Sequence, residues 1–241
     1  MQRVTISSSQ FLSEYENQRV ILTPQQLHYL GRVLRLRDGD RFIVMDGKGK
    51  SWLAQLDNHQ AYLLEELQST TELPLSITLM IALPKGNGFD DIIRPCTEIG
   101  VSYFLPVISD RTLLNPSPQK LQRWQRIAVE ASEQSERIIV PTVFNPVSFT
   151  TAISQQTTAH CYICEARGDN YAHLSKLILN QDFSQTPEIL IAIGPEGGWT
   201  QNELDLAIDS GFKVVSLGKR VLRTITAPIV AVSLIAAITE M

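Results

Sequence analysis

Residues 75–241 alternate between short apolar runs and longer amphipathic stretches, a pattern typical of an α/β domain. The apolar runs are rich in β-branched residues and bounded by turn residues, which predicts strands. The predicted strands cover residues 76–83, 103–107, 159–165, 189–193 and 214–217. Because helical stretches separate them, we expect βαβ units and a parallel sheet.

Two amphipathic stretches predict helices between these strands. One runs from about Phe89 to Ile99 and ends at Gly100, and the other runs from Gln119 to Arg137. In the second helix, Glu133 and Arg137 can pair one turn apart. Its apolar stripe consists of Leu121, Trp124, Ile127, Ala128 and Ala131.

The C-terminal region predicts two further helices. Thr200 and Glu203 form a capping box, so a helix is expected to start there. Its apolar face would consist of Leu204, Ala207 and Ile208. The closing segment, Ile225–Ile238, is apolar nearly all round, with Pro228 in its first turn. Such a helix must be buried on every side, so we expect a homodimer.

Residues 1–70 have a different pattern, with short strand-like runs and one helical stretch. The runs cover 19–22, 41–45, 51–56 and 62–67, and a hairpin turn is expected at 46–49. The helix is expected to begin at Thr23 and Pro24. Its inner side would consist of Leu27, Leu30, Val33 and Leu34. This pattern predicts a small β-barrel with one helix.

A short polar segment that ends in proline, Thr70–Pro74, is the predicted linker between the two patterns. We therefore expect two domains, residues 1–70 and residues 75–241. The chain has 241 residues, of which 44% are hydrophobic and 19% charged, which is ample for folded cores.

Two loops carry the strongest signal for a ligand. Gly194–Gly198 follows one predicted strand and has three glycines in five positions, which permits unusual backbone angles and close approach of a ligand. Leu217–Thr224 follows the next strand and carries three cations and no acid. Because ligands bind beyond the carboxyl ends of parallel strands, we expect both loops to line one pocket.

The net charge of −4, taken alone, argues against a nucleic-acid partner. Two segments differ from this average. Residues 31–50 carry six cations against three acids, and residues 213–223 carry four cations and no acid. Since local patches decide nucleic-acid binding, each segment fits either an RNA contact or a solvated charged surface.

Neither a membrane span nor a metal site is expected. The longest charge-free apolar stretch, Thr224–Thr239, has 16 residues, whereas a span needs about 20. Cys161 and Cys164 form a C-x-x-C, but a second pair or suitably spaced histidines are missing. A strand would also turn these two side chains to opposite faces. Few cysteines and a polar N-terminus predict a cytoplasmic protein.

The segments IGPEGGWTQNE at 193–203 and SLGKRVLRTITA at 216–227 resemble the C-terminal signature of the RsmE family. These are 16S ribosomal RNA uridine-N3 methyltransferases of the SPOUT superfamily. HYLGRVLRLRDGD at 28–40 resembles the N-terminal domain of the same family. The resemblance implies a parallel α/β sheet with a deep trefoil knot, preceded by a PUA-like β-barrel that helps to hold RNA. It also implies S-adenosylmethionine as cofactor, ribosomal RNA of the small subunit as partner, and a homodimer.

The resemblance also implies which residues form the site. In that family the two glycine loops and the segment after them hold S-adenosylmethionine. The implied cofactor-binding residues are Ile193, Gly194, Pro195, Glu196, Gly197, Gly198, Leu217, Gly218, Val221, Leu222, Arg223 and Thr224. Glu165 is added to them because it lies at a strand end, where site residues of such sheets collect. The implied RNA contacts are Arg32, Arg35, Arg37, Lys85 and Arg137.

Arg223 is the predicted catalytic residue. Uridine N3 carries a proton and becomes a good nucleophile only when that proton is lost. A guanidinium that hydrogen-bonds a uracil carbonyl oxygen would stabilise the resulting anion. The general base stays open between Glu165 and Glu196.

Two places depart from the family pattern. Ile225 stands where the family usually has an acidic residue, and Asn87–Asp90 lack the usual acidic-basic pattern after Lys85. Two alternatives therefore stay open, namely a methyltransferase on another RNA, such as tRNA, and a non-catalytic RNA-binding protein that retains the fold. Cofactor affinity separates the second, because a protein without this chemistry need not bind S-adenosylmethionine.

Overall fold

The computed structural model describes residues 1–11, 19–113, 116–168 and 171–241, and it divides into two compact units. Unit 1 consists of Met1–Glu72 and Ser132–Val140. Unit 2 consists of Leu73–Ala131 and Pro141–Met241. The sequence analysis did not separate the segment 132–140 from its surroundings, and the domain boundaries it gave stay a prediction.

Unit 1 contains a five-stranded sheet. Its strands are β1 Arg3–Thr5, β2 Arg19–Ile21, β3 Arg41–Met45, β4 Ser51–Asp57 and β5 Gln60–Leu67. They lie in the order β1-β3-β4-β5-β2, in which only the β1–β3 pair is parallel. The four predicted runs match β2 to β5 closely, and the predicted turn at 46–49 joins β3 to β4. A 3₁₀ turn at Ser8–Gln10 follows β1.

The helix of unit 1 begins as predicted and then changes geometry. Thr23 caps α1, Pro24–His28, and a π-helix, Tyr29–Val33, continues it. Leu30 is fully buried, but Val33 is 58% exposed, so the prediction that Val33 faces inward was wrong. A π-helix has more residues per turn than an α-helix, which moves the buried positions along the chain.

The segment 132–140 is attached to the rest of unit 1 by carboxylates. Arg137 is 3% exposed, and its Nη2 lies 2.7 Å from Glu72 Oε2. Glu72 also accepts hydrogen bonds from the backbone N–H groups of Ile138 and Ile139. Glu133 Oε1 accepts another from the backbone N–H of Thr5 at 2.7 Å. These contacts join residues far apart in the sequence.

Unit 2 is built on a sheet whose strands all pair in parallel. Its strands are β6 Ser76–Ala82, β7 Tyr103–Ile108, β8 Thr142–Val143, β9 Val147–Ser148, β10 His160–Cys164, β11 Ala172–His173, β12 Glu188–Ile193 and β13 Lys213–Ser216. The order is β11-β13-β10-β12-β6-β7-β8, and β9 also pairs with β7. All five predicted strands are present, and the short strands β8, β9 and β11 were not predicted.

Helices cover both faces of this sheet. They are α2 Gly88–Ile99, α3 Pro118–Gln134, α4 Phe149–Gln155, α5 Leu174–Leu179, α6 Gln201–Asp209 and α7 Thr226–Thr239. On one face, alternate residues of β10 and β12 such as Ile163 and Leu190 pack with Phe149, Trp199 and Leu204. On the other face, α7 contacts β6, β12, α2 and α5. Burial on both faces explains why these strands read as continuous apolar runs.

Two details of the helices differ from the predictions. In α6, Leu204 and Ala207 are buried as expected, but Ile208 is 48% exposed. Glu203 takes the buried position instead, at 5% exposed, because it caps the helix from inside. α3 ends at Gln134, so Arg137 lies beyond the helix, and the prediction that the helix reaches Arg137 was wrong.

The predicted apolar closing helix is present as α7, with Pro228 in its first turn. Ala231, Val232 and Ile235 are fully buried within unit 2. No helix in the described parts of the chain is both long and apolar enough to cross a bilayer.

Candidate functional site

The sheet register of unit 2 brings the predicted cofactor loops to one edge. Cys164 of β10 pairs with Ile193 of β12 on one side and with Val215 of β13 on the other. Ile193 pairs in turn with Ile81 of β6. Since these strands are parallel and end at nearly the same level, the residues that follow them meet. Glu165, the first loop (Gly194–Gly198) and the second loop (Leu217–Thr224) therefore follow strand ends at one edge of the sheet, where ligands of such sheets bind. That they line one pocket stays a prediction.

The first loop is a tight turn that depends on its glycines. Gly198 has φ +71°, and its backbone N–H donates to the carbonyl oxygen of Pro195 at 2.8 Å. Gly194 lies against the indole of Trp199, so a Cβ at position 194 would lie 3.2 Å from Trp199 Nε1. Trp199 is 5% exposed and packs with Phe149 and Leu204 on one face of the sheet, which fixes the loop to that face.

The helix α6 starts directly after this loop and is fixed by a buried carboxylate. Glu203 Oε2 accepts a hydrogen bond from the backbone N–H of Thr200 at 2.8 Å. Its Oε1 accepts another from the backbone N–H of Asp110, which follows β7, at 2.9 Å. Thr200 Oγ1 in turn donates to Asp110 Oδ2 at 3.1 Å. The predicted capping box thus also connects two strand-end loops.

Two more contacts hold the first loop from outside. Arg111 Nη1 donates to the carbonyl oxygens of Gly197, at 2.6 Å, and Trp199, at 3.2 Å. On the other side, Glu196 Oε1 accepts a hydrogen bond from the backbone N–H of Lys85 at 3.0 Å. Arg111 was not among the predicted site residues, because no local pattern shows that its side chain reaches residues 86 and 88 positions further along the chain.

The second loop is more open. Gly218 has φ +118°, and its N–H donates to Ser216 Oγ at 3.1 Å. Thr224 is buried, whereas Val221 is 71% exposed. Arg223 is exposed, and its guanidinium has no hydrogen-bond or ion-pair partner within the described residues. The carbonyl oxygen of Arg223 accepts the N–H groups of residues 226 and 227, which anchors this end of the loop to α7.

Both candidate general bases bind backbone N–H groups. Glu165 Oε1 accepts a hydrogen bond from the N–H of Arg167 at 2.7 Å, and Glu196 Oε1 is held by Lys85. For each carboxylate, Oε2 has no partner among the residues that the structure describes. Each glutamate therefore stabilises a loop with one oxygen and has the other available, which leaves the choice of general base open.

Ile225 lies near Gly88, and both belong to the places where the sequence is expected to depart from the family pattern. A Cβ built on Gly88 would lie 3.6 Å from Ile225 Cδ1 and 3.1 Å from Pro84 Cγ. Gly88 is the first residue of α2 and is buried. The side chain at position 225 therefore packs on the loop that follows β6.

The structure places the predicted RNA contacts in different environments. In unit 1, Arg32, Arg35 and Arg37 are exposed, and Arg35 has φ +59°, which is unusual for a residue with a side chain. In unit 2, Lys85 is exposed. Arg137 is buried and bound to Glu72, so its environment is not the exposed one that the predicted RNA contact requires.

The cysteines lie in environments that disfavour the thiolate. Burial raises the pKa of Cys161 to about 12, with a hydrogen bond from Gln156 acting in the opposite direction. Burial also raises the pKa of Cys96, and burial together with the charge of Glu165 raises the pKa of Cys164. Within the described residues, no group of three or more His, Cys, Asp or Glu side chains is arranged to hold a metal ion.

Comparison with known proteins identifies the family. A family model described as an RNA methyltransferase domain matches residues 71–236, and one described as an RNA methyltransferase PUA domain matches residues 22–66. The ribosomal RNA small subunit methyltransferase E of Synechocystis sp. is 50% identical over 231 residues, which cover 92% of this chain and 74% of that protein. The chain belongs to the RsmE family.

Further RsmE proteins agree with this assignment. The methyltransferase E of Bacillus subtilis is 29% identical, over 91% of this chain and 90% of its own length. A crystal structure of the Neisseria gonorrhoeae protein with bound S-adenosylmethionine has 32% identity and a TM-score of 0.82, covering 96% of this chain and 95% of its own. The parallel α/β unit and the PUA-like unit expected for RsmE are therefore both present. The trefoil knot stays a prediction.

The contact between Ile225 and Gly88 predicts how a carboxylate would behave at this position. In the variant Ile225→Glu, a carboxylate replaces the apolar side chain that lies near the buried Gly88, so we expect the free energy of unfolding to fall by about 1–2 kcal/mol. Ile225→Leu preserves an apolar contact and serves as the matched control, with an expected loss below about 1.5 kcal/mol and smaller than that of the glutamate. Urea unfolding followed by circular dichroism measures both. Equal stability of Ile225→Glu and the wild type would show that this contact does not restrict the residue type.

Proposed function

We propose that this protein uses S-adenosylmethionine to methylate N3 of a uridine in the 16S ribosomal RNA of the small subunit. The observation that carries the proposal is the meeting of the two glycine loops at one sheet edge in a chain of the RsmE family. Small-subunit RNA as the substrate is supported by relatives named for that activity. The reaction would take place in the cytoplasm, where ribosomal subunits are assembled.

The two loops suit a cofactor with many hydrogen-bonding groups. Among the described residues, no acceptor binds the backbone N–H groups of Glu196 and Gly197. A Cβ at Gly198 would meet open space, so ligand atoms have room there. We assign these groups, with Gly194, Leu217 and Gly218, to cofactor binding. The remaining proposed cofactor residues are Glu165, Ile193, Pro195, Val221, Leu222, Arg223 and Thr224.

S-adenosylmethionine supplies an electrophilic methyl group, so the protein must hold the acceptor nitrogen in line with it. Arg223 is suited to that task because its guanidinium is exposed and free beside the cofactor loops. By donating to a uracil carbonyl oxygen, it would stabilise the anion left when N3 loses its proton. The N3 edge is used in base pairing, so the target must be unpaired or flipped out.

The test of this function is methyl transfer from labelled S-adenosylmethionine. Naked 16S RNA, assembled small subunits and tRNA are offered separately, and mass spectrometry identifies the methylated nucleoside. We expect 3-methyluridine at one site of the 16S RNA. Labelling of tRNA alone would replace the proposed substrate, and absence of cofactor binding would favour an RNA-binding protein without catalysis.

The same assay tests Arg223. We expect Arg223→Ala to lower the turnover rate by about 100-fold or more, since removal of one donor to a developing anion has an effect of that order. Arg220→Ala is the matched control, because Arg220 is an exposed cation of the same loop without an assigned role. Full activity of Arg223→Ala would rule out its catalytic role.

RNA binding by unit 1 is proposed for Arg32, Arg35 and Arg37, and in unit 2 for Lys85. Arg35 is the most informative of the four. It follows the π-helix in a left-handed conformation, and Leu36 N–H after it bonds to the carbonyl oxygen of Leu30 at 2.9 Å. Glycine is the usual residue in such a position. Binding of an RNA phosphate by the exposed guanidinium would explain why an arginine stands in this strained position.

The strain at Arg35 predicts opposite effects on stability and RNA binding. We expect Arg35→Gly to raise the free energy of unfolding by about 1 kcal/mol, because glycine adopts positive φ without strain. It should also weaken RNA binding several-fold and reduce the slope of log K against log salt by about 1. Urea unfolding and filter binding at several salt concentrations measure these changes.

Arg35→Ala separates the two effects. Alanine removes the charge but keeps the strain, so this variant should weaken RNA binding equally without gaining stability. If Arg35→Gly binds RNA as tightly as the wild type, Arg35 is not a phosphate contact.

We also propose a homodimer that forms through α7. Part of this helix is buried within unit 2, but Ile229, Leu234 and Ile238 are only half-buried there, which leaves apolar surface for a second copy. Light scattering should therefore give about twice the chain mass of 27.0 kDa. We expect Leu234→Glu to shift the protein toward monomer, because the carboxylate would be desolvated at the interface. A monomeric wild type would refute the proposal.

A further inference from the structure

Arg111 reaches the first loop from a strand that is not adjacent to it. Arg111 follows β7, whereas the loop follows β12, and β6 lies between these two strands in the sheet. The side chain crosses this distance and places Nη1 2.6 Å from the carbonyl oxygen of Gly197 and 3.2 Å from that of Trp199. One nitrogen thus binds one carbonyl group within the first loop and one directly after it.

The two carbonyl groups lie on either side of Gly198, the left-handed residue of the loop. Peptide groups are planar, so the bond to the Gly197 carbonyl orients the peptide group before Gly198, and the bond to the Trp199 carbonyl orients the peptide group after Trp199. The backbone is thus restrained on both sides of the segment Gly198–Trp199. Glycine loses more conformational freedom on ordering than any other residue, and this loop has three glycines. A restraint from outside the loop therefore reduces the entropy that a ligand would otherwise have to offset.

The position of Arg111 is itself well determined. Its neighbour Asp110 binds the start of α6 twice, through its N–H to Glu203 Oε1 and through Oδ2 from Thr200 Oγ1. The stem of Arg111 also contacts the loop, since a Cβ on Gly197 would lie 3.0 Å from Arg111 Cδ. No carboxylate among the described residues pairs with Arg111, so its charge is directed to the two carbonyl oxygens.

We propose that Arg111 is a positioning residue for S-adenosylmethionine, one that holds the first loop in its ligand-binding shape through Gly197 and Trp199. This inference rests on the proposed function, because it requires that the first loop binds the cofactor. Arg111 acts on the backbone of the loop and takes no part in methyl transfer.

Isothermal titration with S-adenosylmethionine tests the proposal with the variant Arg111→Ala. We expect the dissociation constant to rise about tenfold or more, the size of effect typical of lost hydrogen bonds to a charged group. The KM for the cofactor should rise in parallel, while kcat at saturating cofactor and the KM for RNA change less than about threefold. Arg126→Ala, an exposed arginine of α3 without a partner among the described residues, is the control and should behave as wild type.

A second variant tests the contact from the loop side. Gly197→Ala places a methyl group against Arg111 Cδ, so it should weaken cofactor binding in the wild type. In the Arg111→Ala background that methyl group has room, and the same change should add less than about twofold. Arg111→Lys, which keeps a cation near the carbonyls, should recover part of the affinity.

The outcomes are distinguishable. If the wild type does not bind S-adenosylmethionine, the proposed function fails. If it binds and Arg111→Ala binds within about twofold, or if the effects of Arg111→Ala and Gly197→Ala add fully, only the positioning role is overturned. If Arg111→Ala does not fold, unchanged cofactor affinity in both Gly197→Ala and Arg111→Lys overturns it, and weakened affinity in both supports it.

Discussion

The pairing of β13, β10, β12 and β6 in a single register is the constraint on which the rest of this molecule depends. Val215, Cys164, Ile193 and Ile81 lie in one row across the sheet, and each strand ends within two residues of that row. Parallel pairing makes the following loops start together, although they are up to 134 residues apart in the chain. The hydrophobic burial of both sheet faces holds the row in place. A shift of one residue would move the side chains of a strand to the opposite face of the sheet, where they would not fit the helices packed there, and would displace the following loop.

The loops that start there are held mostly by backbone contacts and by side chains that bind backbone groups. Glu196 binds the N–H of Lys85, Arg111 binds two carbonyl oxygens, and Glu203 binds the N–H of Asp110. Such an arrangement suits an enzyme that positions its reactants, because methyl transfer from a sulfonium needs alignment more than a covalent or metal-assisted step. Glu165 and Glu196 also bind backbone N–H groups, so a glutamate near the site is not by that fact a general base.

Position 225, where an acidic residue was expected from the resemblance, is occupied by an isoleucine that packs on a neighbouring segment. Ile225 Cδ1 lies 3.6 Å from where a Cβ on Gly88 would be, and Gly88 belongs to the segment 87–90, the second place where a departure from the family pattern is expected from the sequence. The two departures are neighbours in space, so the region around α2 and the start of α7 has an apolar contact of its own. An acidic residue at 225 is therefore not needed to hold these two segments together in this chain.

The sequence by itself determined the longer strands, the helices α1, α2, α3, α6 and α7, the family, and the position of the two loops that are expected to bind the cofactor. Continuous β-branched runs gave the strands of unit 2 because both faces of a parallel sheet are buried, and glycines marked the loops because only they adopt the required angles. Val33 and Ile208 were misplaced, since a π-helix and a buried capping glutamate changed the local phase of burial. Only the tertiary structure showed that Arg137 is buried against Glu72 and that Arg111 reaches the first loop. Both contacts join residues more than 60 positions apart, and no local pattern of residue types records such a distance.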